Sequence, residues 1–191
     1  MAAALCALGF TGAVAAEPLG DALTASFKPK GQATLQRLNQ DETQKACSTG
    51  VVLPGEAAAK VIADNTASIR YPAQGQYLGD WKNGDKIAQT GTGFQSSDDP
   101  AKPAGGNCYA CHQLAEAEIA YGTIGPSLKQ YGKLRGNGEA MLKYTWAKIY
   151  NAQAFMPCST MPRFGHKNIL TEQQIRDVMA FLFDPASPVN Q

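Results

Sequence analysis

The feature that most constrains the fold and chemistry of this chain is the run Cys108-Tyr109-Ala110-Cys111-His112. It holds two cysteines with two residues between them and a histidine directly after the second. Two thiols at this spacing can reach the two vinyl groups on one edge of a porphyrin and form thioethers. The histidine that follows is then held beneath the iron as its proximal ligand. The motif occurs once, so the sequence predicts one covalently bound haem c.

Two other kinds of site use cysteines at this spacing. A thioredoxin-like redox site expects a βαβ setting, and no such pattern surrounds residue 108. A structural zinc site needs a second pair of Cys or His ligands, and the remaining Cys158 and His166 are not spaced as such a pair. Haem attachment is therefore the interpretation that the residues favour.

Residues 1–16 are small and apolar, carry no charged side chain and end in the run AVAA before Glu17. This ending is typical of a secretory signal peptide, although such a peptide ordinarily opens with Lys or Arg and the first basic residue here is Lys28. We expect residues 1–16 to be a signal peptide and the protein to be periplasmic. An apolar N-terminal helix that stays in the protein is the alternative.

The composition limits the kinds of partner that the chain can have. Apolar residues make up 44% of it, which is enough for a packed core, and the formal net charge is +1. So small a charge argues against bulk attraction to nucleic acid or to an anionic membrane surface. No segment after the leader reaches the length of a membrane span. We expect no nucleic-acid partner and no membrane insertion.

Five cysteines are present, and two of them, Cys47 and Cys158, lie outside both the leader and the haem motif. An even remainder in an oxidising compartment predicts a disulfide between them. Two buried free thiols are the alternative. A bridge that closes so long a loop would stabilise the fold by about 4–5 kcal/mol if it acts through chain entropy.

Helical periodicity is strongest in the second half of the chain. Apolar residues recur over 139–150, and the pattern over 171–182 begins at Thr171 with Gln174 three residues later, as in a capping box. Weaker signals predict helices over 31–47, 55–62 and 83–89, an extended segment over 17–30 and a loop over 91–106. The sequence predicts a mostly α fold, with an N-terminal helical extension over 17–80 and a small α domain over 81–191.

The residues leave the second axial ligand of the iron open. The candidates are four methionines and one histidine: Met141, Met156, Met161, Met179 and His166. Met141 and Met179 lie on predicted helices, where methionine more often fills a core. Met156 and Met161 share one loop, and a proline that would stiffen the approach of the thioether follows each of them. The residues favour Met161 and keep Met156 as the alternative.

A Gly-Pro turn follows the motif in the run Ile124-Gly125-Pro126. A turn at this distance can place its carbonyl against the ring N–H of the proximal histidine and fix the tautomer of that ring. An ordinary turn is the alternative, but beside a haem motif we predict that Pro126 supports His112.

Two runs around the motif, GNCYACH at 106–112 and GTIGPSL at 122–128, are similar to class I cytochromes c in general. Three further runs are more specific and resemble SoxX, the monohaem subunit of the SoxAX cytochrome in bacterial thiosulfate oxidation. They are YTWAKIYNAQAF at 144–155, PCSTMPRFGH at 157–166 and LTEQQIRDV at 170–178. The resemblance is strong over about residues 80–190 and looser around Cys47.

This resemblance implies a class I cytochrome c-like domain and a set of site residues. By position it assigns Cys108 and Cys111 to the haem thioethers, His112 to the proximal ligand and Met161 to the distal ligand. It strengthens the choice of Met161 over Met156, because the methionine before Pro162 matches the pattern of the family.

The resemblance also implies a role in a SoxAX-type L-cysteine S-thiosulfotransferase, which joins thiosulfate oxidatively to a cysteine of the SoxYZ carrier protein and releases two electrons. In that scheme a SoxA-like haem subunit is catalytic. This chain, with no catalytic residue of its own, takes the electrons and passes them to a small cytochrome c. A free-standing class I cytochrome c shuttle is the alternative, but a shuttle would not need residues 17–80.

A basic surface could serve such partners. Between Thr123 and Leu170 seven Lys and Arg residues stand against Glu139 alone. A face of this kind would steer association with an acidic partner, although scattered solvated lysines are an equally good interpretation. Arg163 could instead pair with a haem propionate.

Overall fold

The computed structural model describes residues 19–191, and the regular secondary structure in that range is helical, with no β-strand. The mostly α fold is therefore confirmed. Seven α-helices follow one another from residue 19 onward: α1 Leu19–Ser26, α2 Glu42–Cys47, α3 Gly55–Ala67, α4 Trp81–Gln89, α5 Tyr131–Arg135, α6 Glu139–Tyr150 and α7 Glu172–Phe183. Short 3-10 turns lie between them at Leu35–Leu38, Ala73–Gly75, Cys108–Ala110 and Ala152–Ala154, and at Pro188–Asn190 after α7.

Helices α4 and α7 pack against each other at the centre of the domain. Gly84 allows their close approach, because a Cβ there would lie 2.0 Å from the carbonyl oxygen of Asp177. On α7 the buried residues include Ile175, Met179 and Phe181, and Trp146 of α6 is also fully buried. The two long loops of the domain, over 90–130 and 151–171, contribute side chains to this core, among them Tyr109, Leu114 and Phe164.

The N-terminal extension is joined to this domain by buried contacts. The indole N–H of Trp146 donates to the carbonyl oxygen of Arg70 at 2.8 Å, and Tyr77 packs edge-on against the Trp146 ring at 5.9 Å. The amide of Asn151 donates to Asn65 Oδ1 at 2.8 Å, and both asparagines are buried. The extension therefore contributes to the packing of the domain, and it does so next to the end of α6.

Two secondary-structure predictions for the N-terminal extension were wrong in detail. The segment predicted as extended contains α1, where alanine and leucine, strong helix formers, outweigh the lack of clear periodicity. The single helix predicted over 31–47 is interrupted, because Asn39 and Asp41 both take extended backbone conformations. The Asp41 carboxylate then caps α2 by accepting from the Gln44 N–H at 2.8 Å.

The predicted signal peptide, residues 1–16, lies outside the described residues. From residue 19 onward, no helix combines the length and the apolar character that crossing a membrane requires.

Candidate functional site

The haem motif forms a tight turn. Cys108–Ala110 is one turn of 3-10 helix, and the N–H groups of Cys111 and His112 both donate to the carbonyl oxygen of Cys108, at 3.1 and 2.9 Å. Both cysteines are half-buried with free thiols. Burial of its sulfur raises the pKa of Cys108 to about 12, so the unattached side chain is a neutral thiol. The turn thus presents two thiols and an imidazole from five consecutive residues.

His112 is fixed by the turn predicted for that purpose. Its Nδ1 lies 2.7 Å from the carbonyl oxygen of Pro126. A carbonyl can only accept, so Nδ1 carries a proton and donates it, and in the neutral ring Nε2 keeps a free lone pair. A neutral imidazole oriented in this way is the form that ligates a metal.

Gly125 makes room for this arrangement. A Cβ at Gly125 would lie 2.1 Å from Cε1 of the His112 ring, and its N–H donates to the carbonyl oxygen of Cys111 at 2.8 Å. Gly122 likewise lies against Ala110, where a Cβ would be 1.9 Å from the carbonyl oxygen. The chain over 122–126 therefore lies directly against the motif, at a distance that only glycines allow. Motif spacing alone did not reveal this role of Gly125.

The residues present fit a covalently attached haem. Two thiols lie three positions apart, an imidazole with Nε2 free follows, and Gly125 leaves room for that imidazole ring. This is a donor set for two thioethers and one proximal iron ligand.

The candidates for the distal ligand differ in their surroundings. Met179 is fully buried within α7, and the Sδ of Met141 lies 3.9 Å from the Tyr131 hydroxyl, so both have packing roles. Met156 is 60% exposed, whereas Met161 is half-buried and packs against the core.

His166 is the fifth candidate. Its backbone N–H donates to the Tyr150 carbonyl at 3.1 Å. Burial lowers the pKa of the His166 ring, and Arg163 and Lys167 lower it further.

The loop that carries Met161 is tied to the N-terminal extension. The structure places a disulfide bond between Cys47 and Cys158, with Cα atoms 5.4 Å apart. Arg163 donates to the Asp41 carboxylate at 2.7 Å, and the ammonium of Lys167 lies 2.6 Å from the same oxygen. Arg163 is thus engaged with the extension, and its suggested pairing with a haem propionate stays a prediction.

Asp41 is a residue of this site that sequence reasoning missed. Burial acts to raise its pKa, but hydrogen bonds from Lys167, the Gln44 N–H and Arg163 outweigh it and hold the pKa at about 2. The one sequence signal was a capping pattern, Asp41 with Gln44 three residues later, which marks a helix start and says nothing of an ion pair.

The basic surface is partly neutralised by residues from outside its own segment. Arg163 and Lys167 pair with Asp41, and Lys129 pairs with Glu116 at 2.8 Å. Three further cations lie over aromatic rings: Arg135 over Tyr131, Lys143 over Tyr71 and Lys148 over Phe155. Most of the seven cations therefore have local partners, which weakens their interpretation as a free docking face.

Comparison with known proteins agrees with this geometry. The cytochrome c family, described as "Cytochrome c", matches residues 81–184, more than half of the chain. A protein of Aquifex aeolicus (strain VF5) named "Uncharacterized lipoprotein" is 41% identical over 157 residues, which cover 80% of this chain and 73% of that protein. The chain belongs to the cytochrome c family and is an electron-transfer protein that carries covalently bound haem c.

Proposed function

We propose that this chain is the monohaem electron-transfer subunit of a periplasmic SoxAX-type complex that joins thiosulfate to a cysteine of a carrier protein. The observation that carries the proposal is the attachment of the SoxX-like loop over 157–166 to the N-terminal extension, through Cys47–Cys158 and Asp41–Arg163. A free-standing shuttle needs only the domain that the family match covers. An extension built into the loop of the distal ligand suits a subunit whose surface continues into a larger assembly.

In this function Cys108 and Cys111 would form the thioethers and His112 would bind the iron as its proximal ligand. The haem supplies reversible one-electron exchange when it is bound. The carbonyl oxygen of Pro126 accepts a hydrogen bond from Nδ1 of His112, which would leave Nε2 available to the iron. Met161 would provide the distal thioether, and methionine ligation would raise the reduction potential, as an electron acceptor requires.

With His112 and Met161 assigned to the iron, no position would remain for substrate, so we assign bond-making with thiosulfate to a SoxA-like partner subunit. Joining thiosulfate to a thiol forms one S–S bond, releases the thiol proton and frees two electrons. A single haem would exchange one electron at a time, so this chain would pass the two electrons to a small cytochrome c acceptor one after the other. The chain is thus the non-catalytic subunit of an L-cysteine S-thiosulfotransferase.

Co-expression with a SoxA-type subunit tests this proposal. We expect the two chains to purify together, and the haem of this chain to be reduced only when thiosulfate and the SoxYZ-type carrier are both added, as followed by its visible absorption bands. An unrelated class I cytochrome c of similar potential, co-expressed in the same way, is the control for non-specific reduction.

A product that is monomeric, and is not reduced during thiosulfate turnover, would contradict the proposal. It would support the alternative, a free-standing class I cytochrome c shuttle.

A further inference from the structure

A single short helix contacts the Met161 loop on both sides of the methionine. Helix α2 begins after its N-cap Asp41 and ends at Cys47. Cys47 is bonded to Cys158, three residues before Met161, and Asp41 is paired with Arg163, two residues after it.

We propose that α2 is a two-point clamp in which Asp41 and Cys47 are positioning residues that keep Met161 on the haem iron against competing ligands. This inference rests on the proposed function in one respect, the assignment of Met161 as the distal ligand. It goes beyond that function by giving the N-terminal extension a specific task at the haem.

The ionic arm of the clamp lies in buried surroundings. The Arg163 side chain is only 6% exposed, and its guanidinium donates to Asp41 Oδ2 at 2.7 Å and to Asn65 Oδ1 at 3.5 Å. A buried cation that loses its anion is strongly destabilising, because its desolvation is no longer compensated. The position of Arg163, and with it the exit of the loop after Met161, therefore depends on the Asp41 carboxylate.

The covalent arm fixes the entry of the loop. Cys158 has a left-handed backbone with φ 59°, a conformation that a residue with a Cβ adopts only when its surroundings impose it. Prolines at 157 and 162 restrict the backbone on either side. The bond from Cys158 to Cys47 thus holds a turn from which the chain runs on to Met161.

The loop has only local hydrogen bonds of its own around the methionine. The Ser159 N–H donates to the Met156 carbonyl oxygen at 3.2 Å, and the Met161 N–H donates to the Ser159 hydroxyl at 3.3 Å. Contacts this short in sequence cannot fix where the loop lies relative to the haem. Long-range contacts have to supply that position, and those with α2 act beside the packing of Met161 against the core.

The clamp is itself anchored to the domain. Asn65 of α3 donates to the Thr43 hydroxyl of α2 at 2.9 Å and accepts from the Asn151 amide at 2.8 Å. Asn151, directly after α6, is fully buried and also donates to the Ser68 hydroxyl at 2.9 Å. Because α2, α3 and the end of α6 share this network, the clamp connects the loop to the rigid part of the fold.

Imidazole binding to the oxidised holoprotein tests the clamp, since imidazole can reach the iron only when the distal methionine leaves. Asp41→Asn removes the charge but keeps a good helix cap, and Cys47→Ser with Cys158→Ser removes the bridge without leaving a free thiol. For each we expect imidazole affinity to rise by about tenfold or more, with a weaker near-infrared sulfur-to-iron band. Asp41→Glu, which restores the charge, should recover much of the difference.

Two controls separate clamping from general loss of stability. Asp64→Asn breaks the exposed Lys60–Asp64 pair, 2.8 Å long and in the same extension, without touching the loop, and should leave imidazole affinity unchanged. Leu182→Ala removes a buried side chain of α7, at a residue whose carbonyl oxygen accepts from Asn190, and should lower thermal stability with little change in imidazole affinity.

Met161→Leu distinguishes failure of the clamp from failure of the ligand assignment. If it abolishes the sulfur-to-iron band while the Asp41 and cysteine variants bind imidazole like the wild type, the clamp is wrong and the ligand stands. If the band survives in Met161→Leu, the ligand assignment is wrong, and the clamp falls with it. Equal gains in affinity for Leu182→Ala and the α2 variants would also overturn the clamp.

Discussion

The two sides of the haem site are built in different ways. On the proximal side, Cys108, Cys111 and His112 lie within five residues, and Pro126 supports His112 from fourteen residues away. On the distal side, the proposed ligand Met161 lies in a loop that is held by residues more than a hundred positions earlier in the chain, Cys47 and Asp41. One side is local in sequence and the other depends on the tertiary fold.

This difference separates attachment of the cofactor from control of it. A local proximal side can form as soon as the motif and the 122–126 segment fold, so we expect haem attachment to be insensitive to the N-terminal extension. A distal side that depends on long-range contacts makes the sixth ligand sensitive to the state of the N-terminal extension. The comparison predicts that damage to the extension alters ligation without loss of haem.

The largest effect is expected from removal of the two motif thiols together. Cys108→Ala with Cys111→Ala leaves no thiol to form a thioether, so we expect no haem to remain on the chain after denaturation. A haem-stained denaturing gel measures this directly. The matched control is Cys47→Ser with Cys158→Ser, which removes the other two described cysteines and should keep full haem staining.

Equal loss of staining in both double variants would contradict the difference between the two sides, because haem attachment would then depend on the distal contacts. Staining that persists without Cys108 and Cys111 would contradict thioether attachment at the motif.

The next largest effect concerns the sixth ligand alone. Met161→Leu keeps a similar apolar volume but has no sulfur, so we expect complete loss of the near-infrared sulfur-to-iron band and a lower reduction potential, with haem still attached. Met156→Leu, in the same loop but 60% exposed, should retain both. Loss of the band in Met156→Leu instead would transfer the distal role to Met156.

The features that could be predicted from the sequence are those that are local in sequence. The motif, the Pro126 turn and the α7 capping box at Thr171 and Gln174 are short patterns whose chemistry is complete within a few residues. Their geometry was therefore predictable. The helical class was predictable as well, because apolar periodicity over α6 and α7 requires no knowledge of what those helices pack against.

The remainder of the site depends on which distant residues meet. The role of Asp41 arises only when the fold brings Arg163 and Lys167 to it, and the Asn65–Asn151 contact joins residues 86 positions apart. The break in the helix predicted over 31–47 was local, but its signal, an aspartate followed by Gln44, competes with good helix formers on either side. Counting cysteines suggested the Cys47–Cys158 pair, and Cys158 lies three residues before Met161, so the bridge could be placed at the loop; that Asp41 also reaches this loop could not be predicted.

A smaller effect is expected where glycine makes room for the proximal histidine. Gly125→Ala would place a Cβ 2.1 Å from the His112 ring, so either the ring or the 122–126 segment has to move. We expect a loss of about 1–3 kcal/mol in unfolding free energy and a changed reduction potential, measured by denaturant titration and by potentiometry.

Gly55→Ala is the control for this variant, because a Cβ at the start of α3 meets nothing within 4 Å. It should leave the potential unchanged and keep or slightly raise stability. An unchanged potential in Gly125→Ala would show that the proximal geometry tolerates displacement of the ring.

The smallest effect is a pH dependence that isolates the ionic arm of the distal side. The pKa of Asp41 is held at about 2, below its ordinary value of 3.8, so the folded state gains stability from the charged carboxylate above about pH 4. That gain falls away as the pH drops through 4 toward 2, because the carboxylate takes up a proton in the unfolded chain first and in the folded chain last. After allowance for solvent screening we expect this gain to amount to about 1 kcal/mol.

Other acids also titrate in this range, but they are common to the wild type and Asp41→Asn, so the difference in unfolding free energy between these two proteins isolates Asp41. Unfolding by guanidinium chloride at pH 5 and at pH 3 should show a smaller difference at the lower pH. A difference that is equal at both pH values would mean that Asp41 holds Arg163 by shape and hydrogen bonding rather than by charge.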